Sequence, residues 1–174
     1  MIALAVLGCG RREVSKSPSP TLPPVEAQTR SAATEKVEMV ARDEDRRRAW
    51  SVQARGAKLN FGGEGKMSGD LEGVSGVLFK DDAEAATFTA EFGSASQERR
   101  RLILRGRVKL ISLKQKAVLT ADELEWLDGE ARVEARGNVL VRSDNYEVGP
   151  FPKVLATPDL TDIGTPDMFM EKRR

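Results

Sequence analysis

The chain has 174 residues, and its 28 lysines and arginines nearly cancel its 27 aspartates and glutamates, which leaves a formal net charge of +1. Such a balance lacks the basic field that is typical of nucleic-acid-binding domains. The sequence contains no histidine, which excludes Ser-His and Cys-His nucleophile pairs, histidine metal sites and the usual general base near neutral pH. We therefore expect a protein that is not an enzyme and that needs neither a metal nor a cofactor.

The N-terminus carries the only cysteine, Cys9, after a short apolar run. Its setting, Val6-Leu7-Gly8-Cys9, resembles the lipobox of bacterial lipoproteins. That resemblance implies that residues 1–8 act as a signal-peptide-like segment and that Cys9 is the lipid attachment site. The apolar run lacks a preceding basic residue and is shorter than in most signal peptides. An ordinary free cysteine at a frayed terminus is the alternative.

Residues 9–48 are predicted to form a disordered tether behind Cys9. Four of the eight prolines lie there, at Pro18, Pro20, Pro23 and Pro24, among serines and few bulky side chains. Such a composition cannot bury enough apolar surface to offset the entropy of ordering. At about 3.1 Å per residue, a proline-rich chain of this kind would reach on the order of 80 Å from a membrane.

The segment 49–151 repeats itself. Thr89-Ala90 and Arg105-Gly106-Arg107-Val108 return thirty-one residues later as Thr120-Ala121 and Arg136-Gly137-Asn138-Val139. A fainter copy places Ala57 ahead of Gly73 with the same spacing. Each copy is typical of two short antiparallel strands, which bury their apolar face only by stacking on neighbouring copies.

Strict alternation of apolar and polar residues within these copies predicts one apolar face. Gly106 and Gly137 fall on that face by the same count, and glycine there indicates a kink or a close approach. The apolar face supplies a candidate lipid groove, although the same residues would also serve as an ordinary core. The groove residues are Phe88, Phe92, Leu102, Leu104, Val108, Leu110, Leu124, Trp126, Val133, Val139 and Val141.

Short strands, glycine-rich turns and missing helical periodicity predict an all-β fold: an antiparallel β-jellyroll, slightly open, spanning 49–151. Residues 152–174 are predicted to be an irregular tail, since Pro152, Pro158 and Pro166 interrupt strands. We expect the open edges of the sheet to lie near Trp50–Ala54 and Val139–Val148, where another strand could add.

The order and spacing of these motifs resemble the LptC and OstA (LptA) group of lipopolysaccharide-export proteins. The resemblance is carried by Trp50-Ser51-Val52-Gln53-Ala54, the two Thr-Ala dipeptides, the two Arg-Gly-x-Val strands, and the segment from Leu119 to Trp126. It implies a periplasmic β-jellyroll whose apolar interior passes lipid onward.

Within that group, the tethered N-terminus favours the LptC type. The resemblance then implies a lipid-anchored periplasmic protein, held at the inner membrane, that accepts lipopolysaccharide from an inner-membrane ABC transporter and passes it to an LptA-like bridge protein by edge-strand pairing. Arg99-Arg100-Arg101 would meet phosphates at a groove mouth or lie at an exposed hairpin tip. We expect no nucleic-acid partner.

Three alternatives remain open. The chain could be a soluble LptA-like bridge, or a non-catalytic β scaffold of the envelope that stacks without lipid. It could also be a glycan hydrolase that uses two carboxylates, which would need two inward-facing acids about 5–9.5 Å apart. The acids in the alternating strands are predicted to face outward.

Overall fold

The computed structural model describes residues 30–62 and 66–171, and its architecture is all-β. Nine antiparallel strands form one open sheet in sequence order. The strands are β1 Arg30–Arg42, β2 Arg48–Phe61, β3 Met67–Lys80, β4 Ala83–Ser96, β5 Arg101–Ser112, β6 Val118–Leu127, β7 Arg132–Ser143, β8 Tyr146–Ala156 and β9 Ile163–Gly164. A 3₁₀ turn at Asp128–Glu130 and a short helix, α1 at Pro166–Glu171, complete them. The predicted fold class is confirmed.

The predicted repeats correspond to hairpins of this sheet. The copy that starts at Thr89 spans β4 and β5, the copy that starts at Thr120 spans β6 and β7, and the faint copy from Ala57 to Gly73 spans β2 and β3. Each hairpin presents one apolar face, and the faces join across the sheet. Stacking of like units therefore builds the core, as the repeat predicts.

A line of irregular residues, here called the crease, crosses the strands near their midpoints. At this level the cross-strand register between neighbouring strands is interrupted or shifted. Several of its members have left-handed backbones, with φ of 56° at Lys36, 62° at Gly73, 74° at Gly106 and 73° at Gly137. The crease consists of Lys36, Arg55, Gly73, Glu91, Gly106, Arg107, Asp122, Gly137, Asn138 and Pro152. Irregularities at one level in successive strands bend the whole sheet along one line.

The sheet doubles back on itself along the crease. Lys80 ends β3 and Asp159 follows β8, so in a flat sheet five inter-strand spacings would separate them by about 24 Å. Their Nζ and Oδ2 atoms are 2.8 Å apart. The indole nitrogen of Trp50 in β2 likewise donates to the carbonyl oxygen of Arg100, just before β5, at 3.2 Å. In both pairs the two residues lie on opposite sides of the crease.

The doubling creates two layers. The first layer holds the half-strands beside the β1–β2, β3–β4, β5–β6 and β7–β8 turns, and the second layer holds those beside the β2–β3, β4–β5 and β6–β7 turns. A single hydrophobic core fills the space between them, with Trp50, Leu78, Leu104 and Leu119 fully buried. Burial of one such side chain contributes about 1.5–3 kcal/mol, so this inner face provides most of the drive to fold.

The predicted domain boundaries need correction at both ends. β1 lies within the predicted tether, because Val37, Met39 and Ala41 alternate and are buried against β2. The predicted tail is ordered in part: β8 continues to Ala156, and Leu160 and Phe169 are buried. Residues 1–8, Cys9 and the proline-rich stretch to 29 lie outside the described residues.

Candidate functional site

Ten of the eleven predicted groove residues come together on the inner face of the doubled sheet. All ten have at most 4% of their surface exposed, and all belong to the single core. They are Phe88, Leu102, Leu104, Val108, Leu110, Leu124, Trp126, Val133, Val139 and Val141. In this state the side chains pack against one another across the two layers.

Phe92 does not belong to this set, because it is 54% exposed and lies on the outer face. Strict alternation places Phe88, Ala90 and Phe92 on one face. In β4, however, the crease at Glu91 changes the parity, so that Phe92 pairs with outward-facing Glu72 and Gly93 pairs with inward-facing Leu71. The prediction for Phe92 is wrong for this reason.

Gly106 and Gly137 also lie elsewhere than predicted. Both have positive φ, and a Cβ at either position would meet a carboxylate oxygen at 2.5 Å, from Glu91 and from Asp122 respectively. They therefore face charged crease residues instead of the apolar face. The expectation that glycine marks a kink with a close approach is confirmed.

The apolar inner face reaches solvent at both ends of the roll. At the N-terminal mouth, defined here as Ala32, Thr34 and Phe61, the side chains are exposed although Thr34 pairs with buried Ala57. At the C-terminal mouth, defined as Tyr146 and Val148, 48% and 44% of the surface is exposed. The inward-facing partners of these residues on the neighbouring strands, Ala57 for Thr34 and Val141 for Val148, are buried.

Along the side opposite the crease, the edges of the two layers meet at a cleft of about 530 Å³. Arg100 bridges it, with its guanidinium 2.8 Å from Asp128 and 3.3 Å from Glu44. Trp126 contributes to the lining, and its indole nitrogen is buried without a hydrogen-bond partner among the described residues. Arg99 and Arg100 lie in the β4–β5 turn and Arg101 begins β5, which agrees with the hairpin-tip interpretation. Arg100 holds the layers together there.

The cleft wall on the first layer contains further ion pairs, among them the pair of Arg48 and Asp82. The backbone N–H and the guanidinium of Arg48 both donate to Asp82 at 3.0 Å. These bonds hold the pKa of the Asp82 carboxyl below its usual range. The guanidinium of Arg48 also lies 4.3 Å from the ring centre of Phe79, a cation–π geometry.

An ion-pair ladder covers the outer face of β5–β8 in the second layer. Arg105 and Arg136 both bind Glu123 at 2.7 Å, Arg101 binds Glu125 at 3.0 Å, and Lys153 binds Glu134 at 2.7 Å. Burial opposes ionisation of Glu123, but the two guanidinium groups outweigh it and lower its pKa. The sequence signal was the alternation of arginine and glutamate in the outward positions.

The outer face of β1–β4 carries instead a shallow groove of about 560 Å³. Gly56 leaves its floor open, and Phe92 forms one wall. Four charged residues line it, and none has an ion pair within 4 Å in the part of the chain that the structure describes. These residues are Glu35, Lys58, Asp70 and Glu72. The sequence analysis did not identify this surface, because it depends on the change of parity at the crease.

The free edges of the sheet are β1 and the part of β8 that the two-residue β9 leaves unpaired, and this corrects the edges predicted from sequence. Trp50–Ala54 lies in β2, which pairs with β1 and β3, and Val139–Val141 lies in β7, which pairs with β6 and β8. Of the predicted C-terminal edge, only Tyr146–Val148 in β8 lies at a free edge. The sequence missed β1 and therefore shifted the N-terminal edge by one strand.

Among residues 30–62 and 66–171, no cluster of three or more Cys, Asp or Glu side chains could hold a metal ion. No helix in that part of the chain is long and apolar enough to cross a membrane. No protein-family model matches the sequence, and no curated protein is significantly similar to it.

Proposed function

We propose that the chain is a membrane-tethered component of lipopolysaccharide export of the LptC type. It accepts glycolipid from an inner-membrane ABC transporter in the periplasm and hands it to an LptA-like bridge protein. The observation that carries this proposal is that one doubled sheet keeps its apolar inner face open to solvent at both mouths. A conduit for acyl chains needs such a continuous apolar face with two open ends.

Acyl chains supply the driving force. Each methylene group that leaves water contributes about 0.8 kcal/mol, so several buried methylenes outweigh modest rearrangements of the protein. The sugar and phosphate headgroup would stay outside the layers. Passage through the roll requires the inner side chains to part, since Leu104 and Val139 are fully buried in the state described here.

The layers would part at the cleft that Arg100 bridges. Exposed ion pairs such as Arg100–Glu44 contribute only about 0–1 kcal/mol each. On the other side the two layers are joined covalently, because each of the strands β1 to β8 runs through the crease. Opening along the cleft therefore costs less free energy than tearing the sheet at the crease.

Photo-crosslinking at the mouths tests the proposal. A crosslinker at Thr34 or at Val148, both inward-facing and exposed, should capture lipopolysaccharide in cells. The matched controls are Glu35 and Glu147, their neighbours on the outer face, which should capture none, because adjacent side chains of a strand point to opposite faces. Two outcomes would contradict the proposal: equal capture by the inward-facing and the outward-facing positions, or no capture at any of them.

The tether is tested separately. The prediction that Cys9 is the lipid attachment site concerns residues outside the described part and stays a prediction. Intact-mass spectrometry of envelope-purified protein should find residues 1–8 removed and two or three acyl chains on Cys9, since one chain anchors only weakly. An unmodified Cys9 would favour the soluble, LptA-like bridge.

The tight inner packing favours one alternative, a scaffold that stacks without lipid. The scaffold predicts that neither Thr34 nor Val148 captures glycolipid while the free edges still bind protein. Crosslinking to lipid and crosslinking to protein, read from the same samples, separate the two functions.

A further inference from the structure

The two free edges of the sheet differ in their capacity to pair. β1 has 13 residues without proline or glycine, and the described side chains from Ala32 to Lys36 are all exposed. β8 contains Gly149, Pro150 and Pro152, and β9 already occupies its end by pairing with Leu155 and Ala156. The β1 edge is broken only at Lys36, where the backbone is left-handed, and it keeps two runs of six residues, Arg30–Glu35 and Val37–Arg42. The β8 edge is broken repeatedly by its prolines.

Strand addition depends on a continuous row of backbone N–H and C=O groups at the edge. Proline offers no N–H, and in sheets it occurs mainly on edge strands whose N–H side faces solvent. On β8 the prolines leave free runs of only four residues, Tyr146–Gly149, and two residues, Lys153–Val154. These runs are shorter than an ordinary strand of about 5–6 residues.

We propose that the sheet is extended at one edge only: β1 accepts a strand from a partner protein, and β8 accepts none. This joint does not depend on what the roll carries. It also makes the protein the end of any array of paired sheets, because a second partner cannot continue the ladder from β8. Any contact at the C-terminal end must then use side chains.

The chemistry around β1 defines the partner strand. The inward positions Val37 and Met39 continue the apolar face, so a paired strand would place apolar side chains beside them. Exposed Glu35 and Glu38 lie along the edge on either side of the crease residue Lys36, so acidic residues outnumber the lysine there. Behind them, the groove adds Asp70 and Glu72 against a single lysine, Lys58. A strand that alternates apolar and basic residues complements both faces.

A second copy of this chain does not fit the edge. Its β8 is interrupted by prolines, and antiparallel pairing of β1 with β1 would set the outward Glu35 and Glu38 of one copy beside those of the other. Like charges that face each other across strands destabilise the pair. The partner is therefore a different protein.

Peptide binding by the full-length protein tests the joint. The probe is a peptide of about eight residues that alternates valine and lysine, and the control peptide carries glutamate in place of lysine. The valine–lysine peptide should slow amide hydrogen exchange within residues 32–41 and leave residues 146–154 unchanged. The glutamate peptide should bind about tenfold more weakly, because attraction at the edge becomes repulsion.

Charge reversal in the protein provides the second arm. The double variant Glu35→Lys, Glu38→Lys should reverse the preference and bind the glutamate peptide about tenfold more tightly than the lysine peptide. Glu147→Lys on β8 is the matched control and should leave the preference unchanged. Circular dichroism confirms that the variants fold.

Three outcomes would overturn the proposal. The first is slowed exchange at residues 146–154 with either peptide, which would mean that β8 pairs as well. The second is a Glu35→Lys, Glu38→Lys variant that still prefers the lysine peptide to the glutamate peptide, which would mean that the peptide does not bind at the β1 edge. The third is a concentration-dependent increase in mass of the protein alone in sedimentation, with exchange slowed in β1, which would identify a second copy as the occupant.

Discussion

The outer face of β1–β3 and the outer face of β5–β8 belong to one sheet, but their carboxylates differ in whether they form ion pairs. On β5–β8, Glu123, Glu125 and Glu134 each bind an arginine or a lysine of a neighbouring strand. On β1–β3, Asp70 and Glu72 have no such partner within 4 Å among the described residues. The carboxylates of β5–β8 are neutralised by ion pairs within the protein, whereas Asp70 and Glu72 remain available to a partner.

Beneath these outer faces the two regions are alike. Both have a predominantly apolar inner face, and both bend at a crease glycine with positive φ, Gly73 in one region and Gly106 or Gly137 in the other. The comparison teaches that the inner face and the crease produce the fold in both regions. The outer charges vary because folding depends on them little, which leaves them free to serve binding.

The largest expected effect concerns the inner face. Leu59→Ala in β2 and Leu104→Ala in β5 each remove a side chain that is at most 3% exposed, so each should lower the free energy of unfolding by about 2–5 kcal/mol. Urea denaturation of both variants measures it. If Leu59→Ala cost much less than Leu104→Ala, the inner faces of the two regions would not be equivalent.

The next effect concerns the crease. Alanine at Gly73 or at Gly137 forces a non-glycine residue into a left-handed backbone and against a charged side chain, which should cost about 1–3 kcal/mol. Gly129→Ala is the matched control, since nothing lies within 4 Å of its added Cβ. Thermal unfolding of the three variants checks this, and a harmless Gly137→Ala would show that the crease does not require glycine.

Sequence reasoning recovered the repeat, the fold class and the inner faces of β5 and β7, because in these two strands the crease spans Gly106-Arg107 and Gly137-Asn138. Two residues at the bend preserve the parity of the alternation. In β4 the bend at Glu91 reverses the parity, and so Phe92 was misplaced. Parity at a bulge depends on the register of the partner strand, which local alternation does not contain.

β1 and the C-terminal segment were missed for a related reason. The apolar residues of β1 are few and stand among charges, and their burial comes from pairing with β2. The C-terminal segment is held by Asp159, which binds Lys80 across the two layers. Contacts between residues so distant in sequence leave no local signal, so the doubling of the sheet could not be predicted in detail.

A smaller effect is expected at Asp159, and it depends on pH. Burial opposes ionisation of this carboxyl, but the ammonium of Lys80 and the hydroxyls of Thr157 and Thr161 outweigh it and hold its pKa well below the usual 3.8. Because the folded-state pKa is depressed, the stabilisation is present above about pH 4 and is lost as the pH falls further.

Asp159→Asn should therefore lower the free energy of unfolding by about 1–2 kcal/mol at pH 7. The difference between the variant and the parent should shrink as the pH is lowered from 4 towards 2. Urea unfolding at several pH values measures this difference. A difference that stayed constant down to pH 2 would assign the effect to packing and not to the charge of Asp159.

The smallest effect tests the comparison of outer faces directly. Glu123→Gln removes a charge that two arginines bind, and its side chain is only 24% exposed, so the free energy of unfolding should fall by about 0.5–1 kcal/mol. Glu72→Gln removes a carboxylate with no ion pair among the described residues and should change stability by less than about 0.3 kcal/mol.

Urea unfolding at low and at high salt measures both variants. Salt should reduce only the effect of Glu123→Gln, because screening weakens an existing ion pair. An equally large, salt-sensitive loss of stability in Glu72→Gln would mean that the carboxylates of β1–β3 form ion pairs in solution. Electrostatic attraction would then no longer favour a basic partner strand at β1.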